Sequence, residues 1–300
     1  MIQITFLGTS STVPTAERNH SAMLLKYKHE NILIDCGEGT QRQLRKAKIN
    51  PLKLTKILIT HWHGDHVLGL PGLFQTLAFN GYNKTLEIYG PKGTKKFINE
   101  VFKVFTSKKK IKTKVFEVQG KFLKTKDYQL TALQLDHKKA PTNGYSFEEK
   151  PKLRIDKNKL KKLKLSVKDR AKLSQLTIGK NIKIKGKTIK SKNMTYQQAS
   201  KKISFIFDTK LCNNAKKLAK DSDLAIIDST HDADNSSLAS EYGHLTSNQA
   251  AQIAKQAKVK KLILTHISQR YENKGKQLEN KAKKIFKNTI IAKDFMVVEV

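Results

Sequence analysis

One six-residue segment limits what this chain can fold into more than any other. Residues 61–66 have the sequence His-Trp-His-Gly-Asp-His and follow an apolar, β-branched run at residues 56–60, which predicts a short buried strand. Apolar residues at helical spacing over residues 70–79, with Pro71 in the first turn, predict a helix after the segment. A strand that ends in a sharp turn, which Gly64 would permit, can direct several side chains at one point.

The side chains of this segment are those that first-row metal ions prefer. Three imidazoles and a carboxylate supply nitrogen and oxygen donors that suit zinc. One tetrahedral ion would not easily use all four from so short a loop, whereas two ions would, one on His61 and His63 and one on Asp65 and His66. A surface loop with scattered histidines is the alternative, but three of the nine histidines lie within these six residues. We therefore expect a metal site.

Further polar residues follow other apolar runs. Predicted strands lead to His137 after residues 128–135, to Asp208 after residues 203–207 and to His266 after residues 261–265. A histidine at the end of a second strand is a candidate third ligand beside His61 and His63, and a carboxylate can bridge two ions more readily than a neutral imidazole.

The pattern of residues 61–66 resembles the His-x-His-x-Asp-His motif of the metallo-β-lactamase superfamily. The rest of the chain resembles one branch of it, the ribonuclease Z family of endonucleases that trim precursor tRNA at its 3′ end. The segments that carry this likeness are residues 6–9 (Phe-Leu-Gly-Thr), 18–19 (Arg-Asn), 34–41 (Ile-Asp-Cys-Gly-Glu-Gly-Thr-Gln), 244–246 (His-Leu-Thr) and 266–271 (His-Ile-Ser-Gln-Arg-Tyr). The resemblance runs from residue 2 to residue 300, with one divergent insert.

The resemblance implies an α/β fold, an αββα four-layer sandwich of the metallo-β-lactamase type, with residues 1–300 as a single domain. It also implies two Zn²⁺ per chain. We expect one ion on His61, His63 and His137, the other on Asp65, His66 and His266, and Asp208 bridging both.

The implied reaction is zinc-dependent cleavage of the 3′ trailer from precursor tRNA, with a 3′-hydroxyl left on the tRNA and a 5′-phosphate on the trailer. Asp65 is expected to orient the attacking hydroxide or to accept its proton, and His244 to protonate the leaving 3′ oxygen. The chain departs from its relatives at residues 227–230, which are Ile-Asp-Ser-Thr where the family usually has His-Glu-Ala-Thr. The acid, Asp228, is one methylene shorter, so its part in orienting a proton donor stays open.

The formal net charge of +34 predicts a polyanionic partner, of which nucleic acid is the common one. A general excess of lysine is the alternative reason, because 53 of the 59 basic residues are lysines.

No run approaches the roughly 18 apolar residues of a membrane span, no signal peptide is visible, and the two cysteines suggest reduced thiols. We expect a cytoplasmic protein that does not bind membranes, and a homodimer.

Residues 148–192 form the divergent insert and hold 17 lysines or arginines against four acidic residues. The insert has few apolar residues and can bury little core, so we expect it to project as a basic arm. In the family an insert at this place grips the tRNA elbow, and a disordered lysine-rich linker is the alternative. The predicted RNA contacts are Arg18, Asn19, Arg270, Lys161, Lys162 and Lys164. Asp35 could help to seat the RNA or could simply anchor the metal loop.

Two other functions fit part of the pattern. A small-molecule phosphodiesterase of the same superfamily would use the metal motif, but it would need neither the basic insert nor the high charge. A non-catalytic RNA-binding protein would use the charge, but it would not need the full set of ligands. A measurement of metal content would separate the RNA-binding protein from an enzyme, because only the enzyme needs bound metal.

Overall fold

The computed structural model of the protein describes residues 1–105, 111–161, 163, 165–184 and 186–300. The chain divides into two compact units. The first comprises residues 1–124, 130–147 and 202–300, and the second comprises residues 125–129 and 148–201. The second unit is therefore larger than the predicted insert at residues 148–192.

Strands and helices both occur along the whole of the described chain. The strands are β1 (Ile2–Gly8), β2 (Ala22–Tyr27), β3 (Glu30–Ile34), β4 (Lys56–Leu58), β5 (Thr85–Gly90), β6 (Lys112–Glu117), β7 (Gly120–Lys124), β8 (Tyr128–Gln134), β9 (Asn143–Glu149), β10 (Lys152–Ile155), β11 (Ile182–Ile184), β12 (Lys187–Ile189), β13 (Thr195–Gln198), β14 (Lys202–Ile206), β15 (Leu224–Asp228), β16 (Leu262–Thr265), β17 (Thr289–Ile291) and β18 (Val297–Glu299). The helices are α1 (Thr40–Lys46), α2 (Gly64–Val67), α3 (Leu70–Phe79), α4 (Thr94–Val104), α5 (Lys157–Lys161), α6 (Val167–Ala171), α7 (Leu173–Leu176), α8 (Ser191–Met194), α9 (Asn213–Ala219), α10 (Ser236–Tyr242), α11 (Ser247–Gln256) and α12 (Gly275–Lys283). Short 3-10 helices span Pro51–Lys53, Ala233–Asn235 and Gln269–Lys274.

Two seven-stranded mixed sheets form the first unit. One has the order β18-β1-β2-β3-β4-β5-β6 and the other the order β17-β16-β15-β14-β9-β8-β7. In the first sheet β3 to β6 run parallel, with Leu33 opposite Ile57. In the second sheet β14 to β17 run parallel. The buried strands among them, such as β3, β4, β15 and β16, are rich in Ile and Leu because both of their faces are covered.

Helices cover the outer face of each sheet. On the first sheet, α1, α3 and α4 bury Leu44, Leu73 and Ile98 against β-strand residues. On the second sheet, α9, α11 and α12 do the same with Leu218, Ile253 and Leu278. Burial of such side chains contributes about 1.5–3 kcal/mol each relative to exposure, which holds the helices in place.

The inner faces of the two sheets pack against each other. Tyr27 of β2 contacts Phe147 of β9 with ring centroids 5.2 Å apart. The Tyr145 hydroxyl donates a hydrogen bond of 2.6 Å to the backbone carbonyl of Ile59, across the space between the sheets. The layers are thus helix, sheet, sheet and helix, which confirms the predicted αββα sandwich. Among the described residues, every helix is too short or too polar to cross a bilayer.

The second unit has a small core of its own. Leu176, Ile182, Ile184 and Met194 are buried together. β10 pairs with β13, and β11 and β12 form a hairpin that turns at Gly186, whose φ is 77°.

Two short helices, α5 and α6, follow β10 in this unit. Ser166 begins α6 with a reciprocal capping box to Asp169. Lys162 and Lys164, two of the predicted RNA contacts, lie outside the described residues.

Candidate metal centre

The predicted metal-site residues lie where strands of the two large sheets end. The strands are β4 for His61, β8 for His137, β14 for Asp208 and β16 for His266. β14, β15 and β16 are parallel neighbours in register, with Ile206 opposite Ile227 and Asp228 opposite Thr265. Their carboxyl ends therefore meet at one edge of the sheet, which explains why residues far apart in sequence come together.

Three residues that follow strands β3, β14 and β16 turn the backbone sharply. Asp35, Asp208 and His266 have φ angles of 56°, 42° and 59°, in the left-handed region. For residues other than glycine this conformation costs about 1–3 kcal/mol, so it persists only where the surroundings impose it. Such positions concentrate at functional sites, and two of these three are predicted ligands.

The turn within residues 61–66 does not depend on Gly64 as the sequence suggested. Gly64 begins α2, with His63 as its extended N-cap, and it is not one of the glycines with positive φ. Glycine is required instead at Gly69, where a Cβ would lie 2.1 Å from the carbonyl oxygen of Gly37. This close approach holds the loop after β3 against the metal-binding segment.

A first group of donor atoms comes from His61, His63, His137 and Asp208. His137 Nε2 lies 3.2 Å from His63 Nδ1. Asp208 Oδ2 lies 3.5 Å from His61 Nε2 and 3.8 Å from His137 Nε2. His63 is exposed and the other three are buried, so the group opens to solvent on one side.

A second group comes from Asp65, His66, His266 and Asp208, and all four are buried. The Nε2 atoms of His66 and His266 are 3.2 Å apart. Asp65 Oδ2 lies 3.3 Å from His266 Nε2 and 3.4 Å from His66 Nε2. Asp208 turns its other oxygen, Oδ1, to this group, at 3.3 Å from His266 and 3.5 Å from His66. One carboxylate thus serves both groups.

These spacings fit metal ions. Two donors at 2.0–2.1 Å from a tetrahedral ion are about 3.3 Å apart, and the donor separations here lie between 3.2 and 3.8 Å. His61 Nε2 and Asp208 Oδ1 are shielded from solvent and have no hydrogen-bond partner among the described residues. Buried polar atoms normally have partners, and a cation within each group would supply them.

Two threonines fix the orientation of two ligand rings in the same way. Thr60 donates its hydroxyl to Asp35 Oδ2 at 2.8 Å and lies 3.1 Å from His61 Nδ1. Thr230 donates to Asp228 Oδ1 at 2.6 Å and lies 2.9 Å from Nδ1 of His266. Because each hydroxyl already donates its proton to a carboxylate, its oxygen accepts a hydrogen bond from the imidazole Nδ1–H. The Nε2 lone pair then points into the site, as a metal ligand requires.

The remaining buried rings are held through Nδ1 as well. His66 Nδ1 donates to Asp35 Oδ2 at 2.7 Å, and His137 Nδ1 donates to the carbonyl oxygen of Gly243 at 2.9 Å. Asp35 therefore anchors the metal loop, which was one of the two roles considered for it. Sequence reasoning missed Thr60, Thr230 and Gly243, since hydroxyls after strands and a glycine that ends a helix, as Gly243 ends α10, are common and carry only a weak signal.

The electrostatics of the cluster favour positive charge at its centre. Burial lowers the pKa of His266, but nearby carboxylates, Asp208 first among them, outweigh burial and raise it to about 10. Burial raises the pKa of Asp208, yet the surrounding histidines hold it well below its ordinary value. Burial is the main reason that the pKa of His61 lies well below its ordinary value. The carboxylates thus favour positive charge among the ligand rings, and a bound cation would supply that charge in place of a proton.

His244 forms a pair with Asp228 beside the two groups. Its Nδ1 lies 3.0 Å from Asp228 Oδ2, and its ring stacks on that of His266 at a centroid distance of 5.3 Å. Burial lowers the pKa of His244, but the carboxylates of Asp228 and Asp208 outweigh burial and raise it. The shorter acid at residue 228 therefore still reaches the histidine.

The predicted RNA contacts are in different surroundings. Arg18 is buried, and its guanidinium Nη1 donates to Thr9 Oγ1 at 2.6 Å and to the Ala292 carbonyl oxygen at 2.7 Å. Asn19 Nδ2 donates to the Glu38 carbonyl oxygen at 2.7 Å. These two side chains join segments of the fold, whereas Arg270 and Lys161 are exposed. Contact with RNA stays a prediction for all four.

Comparisons with known proteins find relatives that match the whole chain. The chain is 37% identical over 303 residues to a ribonuclease Z of Methanosarcina mazei, and the alignment covers 100% of this chain and 98% of that protein. The crystal structure of human tRNase Z, short form, superposes with a TM-score of 0.71 at 28% identity, over 99% of both chains.

The fold also matches a metallo-β-lactamase fold protein from Bacillus subtilis, with a TM-score of 0.69 at 21% identity over 100% of this chain and 99% of that one. Residues 2–147 match the family described as anti-Pycsar protein Apyc1. The chain thus has the metallo-β-lactamase fold.

Proposed function

The chain belongs to the ribonuclease Z family, and we propose that it removes the 3′ trailer from precursor tRNA, leaving a 3′-hydroxyl on the tRNA and a 5′-phosphate on the trailer. The observation that carries this proposal is the arrangement of two donor groups that share Asp208, next to the pair formed by Asp228 and His244. A cation-binding centre with a proton donor beside it is suited to the hydrolysis of a phosphodiester.

The enzyme depends on metal, and we propose two zinc ions per chain. The residues that would hold them are His61, His63 and His137 for one, Asp65, His66 and His266 for the other, and Asp208 for both. Zinc supplies Lewis-acid chemistry in such a site, since it lowers the pKa of water and neutralises charge on a phosphate.

Asp65 is proposed to position the attacking water and to accept its proton. Its Oδ2 makes the contacts with His66 and His266. The other oxygen has no partner among the described residues and can accept a hydrogen bond from water. A carboxylate that two imidazoles hold in one orientation presents its other oxygen at a fixed position, as the positioning of a water requires.

His244 is proposed to protonate the leaving 3′ oxygen. Its Nδ1 is held by Asp228, so Nε2 is the atom that delivers the proton. Asp228 is in turn fixed by the backbone N–H and the hydroxyl of Thr230, at 2.9 and 2.6 Å. Asp228 is therefore proposed as a positioning residue for the general acid. This is the role that the resemblance left open, because the acid at residue 228 is one methylene shorter than in the family.

The basic residues are proposed to bind the RNA. The insert at residues 148–192, which belongs to the second unit, carries 17 of the 59 basic residues and is proposed as the arm that holds the distal part of the tRNA. The second unit has its own buried core, which favours a folded arm over a disordered linker. A cytoplasmic location and a homodimer also stay predictions.

The experiment is incubation of the zinc-loaded protein with an end-labelled precursor tRNA that carries a 3′ extension, with mapping of both new ends. Cleavage at the tRNA boundary with the stated ends supports the proposal. An intact precursor, together with rapid hydrolysis of small phosphodiesters by the same preparation, would favour the small-molecule phosphodiesterase instead. If the protein binds tRNA but mass spectrometry shows that it retains no zinc after loading, the result would favour the non-catalytic RNA-binding protein.

A further inference from the structure

An exposed aromatic ring lies immediately before the proposed general acid. Tyr242 is the last residue of α10, and 51% of its surface is exposed. Gly243, with φ of 80°, ends the helix in the left-handed conformation, and His244 follows it. This exposed aromatic side chain is therefore only two residues from the proposed proton donor along the chain.

Contacts with the metal centre hold this ring in place. Lys138, which follows the candidate ligand His137, has its Nζ 4.9 Å from the centroid of the Tyr242 ring. Gly243 packs closely against His137 and Lys138. A Cβ at residue 243 would lie 2.9 Å from His137 Nδ1 and 3.3 Å from Lys138 Cγ. The lysine stem therefore crosses Gly243 to reach the tyrosine. This packing fixes the ring relative to the reacting centre.

The charge around the ring suits a polynucleotide. Lys138 also lines an open groove of about 440 Å³ with Lys139, Pro141 and Asn213. Proteins bind unpaired RNA by stacking bases on exposed aromatic side chains while cationic groups contact the phosphates. Tyr242 and Lys138 offer these two interactions side by side.

We propose that Tyr242 is a substrate-positioning residue, on which the base of the nucleotide directly 5′ of the scissile phosphate stacks. This inference rests on the proposed function. That nucleotide carries the 3′ oxygen that His244 would protonate, so it must lie next to His244. Its base is then the nearest one to Tyr242. The stack would place the 3′ oxygen against the proton donor, and would define the last nucleotide of the product.

The test combines protein variants with abasic substrates. Tyr242→Ala, Tyr242→Phe and the control Ser240→Ala, an exposed position on the same helix, are compared on three precursors. One precursor is intact, one lacks the base 5′ of the cleaved bond, and one lacks the base 3′ of it. Tyr242→Ala should lower kcat/KM on the intact precursor by roughly 5- to 100-fold, the usual worth of one stacked base. Tyr242→Phe should restore most of that activity, and Ser240→Ala should match the unmodified protein.

The abasic substrates decide between stacking and a structural role. If the base stacks on Tyr242, the precursor without the 5′ base is already cut slowly, and Tyr242→Ala causes little further loss on it. An equal loss on the intact and the 5′-abasic precursor would overturn the proposal, as would a dependence on the 3′ base instead. The unmodified protein alone gives a second measurement, because full activity on the 5′-abasic precursor also overturns it. Failure of the proposed function is distinct, since the intact precursor would then not be cut at all.

Discussion

The carboxylate oxygen Oδ2 of Asp35 lies 2.7 Å from Nδ1 of His66, and both side chains are fully buried. Asp35 also accepts hydrogen bonds from the backbone N–H and the hydroxyl of Thr60, at 2.7 and 2.8 Å. One carboxylate therefore orients a ligand from each donor group, His66 directly and His61 through Thr60.

Asp35→Asn should weaken metal retention by roughly 10- to 100-fold, the usual effect of removing a partner that orients a ligand. The amide keeps the volume but removes the negative charge and one acceptor. Metal content after equilibration with graded chelator concentrations measures the effect, with circular dichroism to verify folding. Asp136→Asn is the control, since it changes an exposed carboxylate next to the ligand His137. Equal retention by the two variants would contradict the role given to Asp35.

Asp65→Ala or His66→Ala should abolish cleavage yet leave tRNA affinity within a few-fold. Both residues lie in the second donor group, whereas most phosphate contacts should come from the lysines of the surface. Filter binding and single-turnover cleavage on the same preparations separate the two effects. Parallel loss of binding and cleavage in well-folded variants would count against this division.

His244→Ala should slow the chemical step by roughly 10²–10⁴, the worth of a positioned general acid, while zinc stays bound. Hydrolysis of bis-p-nitrophenyl phosphate should be much less affected, because its leaving group needs no proton. A loss as large on this activated ester as on RNA would show that His244 is not the acid.

Asp228→Asn should reduce cleavage because the amide no longer holds His244 Nδ1–H at 3.0 Å. Since Asp228 is proposed to act through His244, the effects of Asp228→Asn and His244→Ala should not add in the double variant. Single-turnover rates of the four proteins complete this cycle. Additive effects would mean that Asp228 has a role independent of His244, such as holding Thr230.

Replacing residues 156–194, which join β10 to β13, by a short Gly-Ser linker should weaken tRNA binding while hydrolysis of a small diester changes little. For every phosphate that the lysines no longer neutralise, the slope of log affinity against log salt should flatten by roughly 0.7–0.9. Lys161→Ala alone should be mild, because many lysines share the binding of the phosphates. Unchanged tRNA affinity and salt slope after the replacement would leave these residues as a linker and would weaken the tRNA assignment.

The sequence predicted those parts of the site that depend on local spacing. Residues 61–66 bring four donors together within one turn, and His137, Asp208 and His266 each follow an apolar run that had to be a strand. The supporting hydrogen bonds could not be predicted in this way. Thr230 and His266 are 36 residues apart and meet only because β15 and β16 are neighbours.

Charge is an ambiguous guide to position, as Arg18 illustrates. The sequence predicted that Arg18 contacts RNA, and this stays a prediction, but the structure shows a buried side chain that joins residues 9 and 292. Nothing local distinguishes an arginine that binds phosphate from one that satisfies a backbone carbonyl. The partner of the guanidinium depends on residues at the far end of the chain.

The carboxylate of Asp208 divides its two oxygens between donor groups whose other members come from both sheets: His61 and His66 from the first, His137 and His266 from the second. The complete coordination environment therefore does not exist until the two halves of the first unit have docked, and it disappears when they separate. A bound cation must then add its binding free energy to the association of the halves, by RT ln(1 + [L]/Kd). For the proposed zinc ions, the free energy of unfolding is therefore expected to rise with the concentration of free metal, independently of any part the ions play in catalysis.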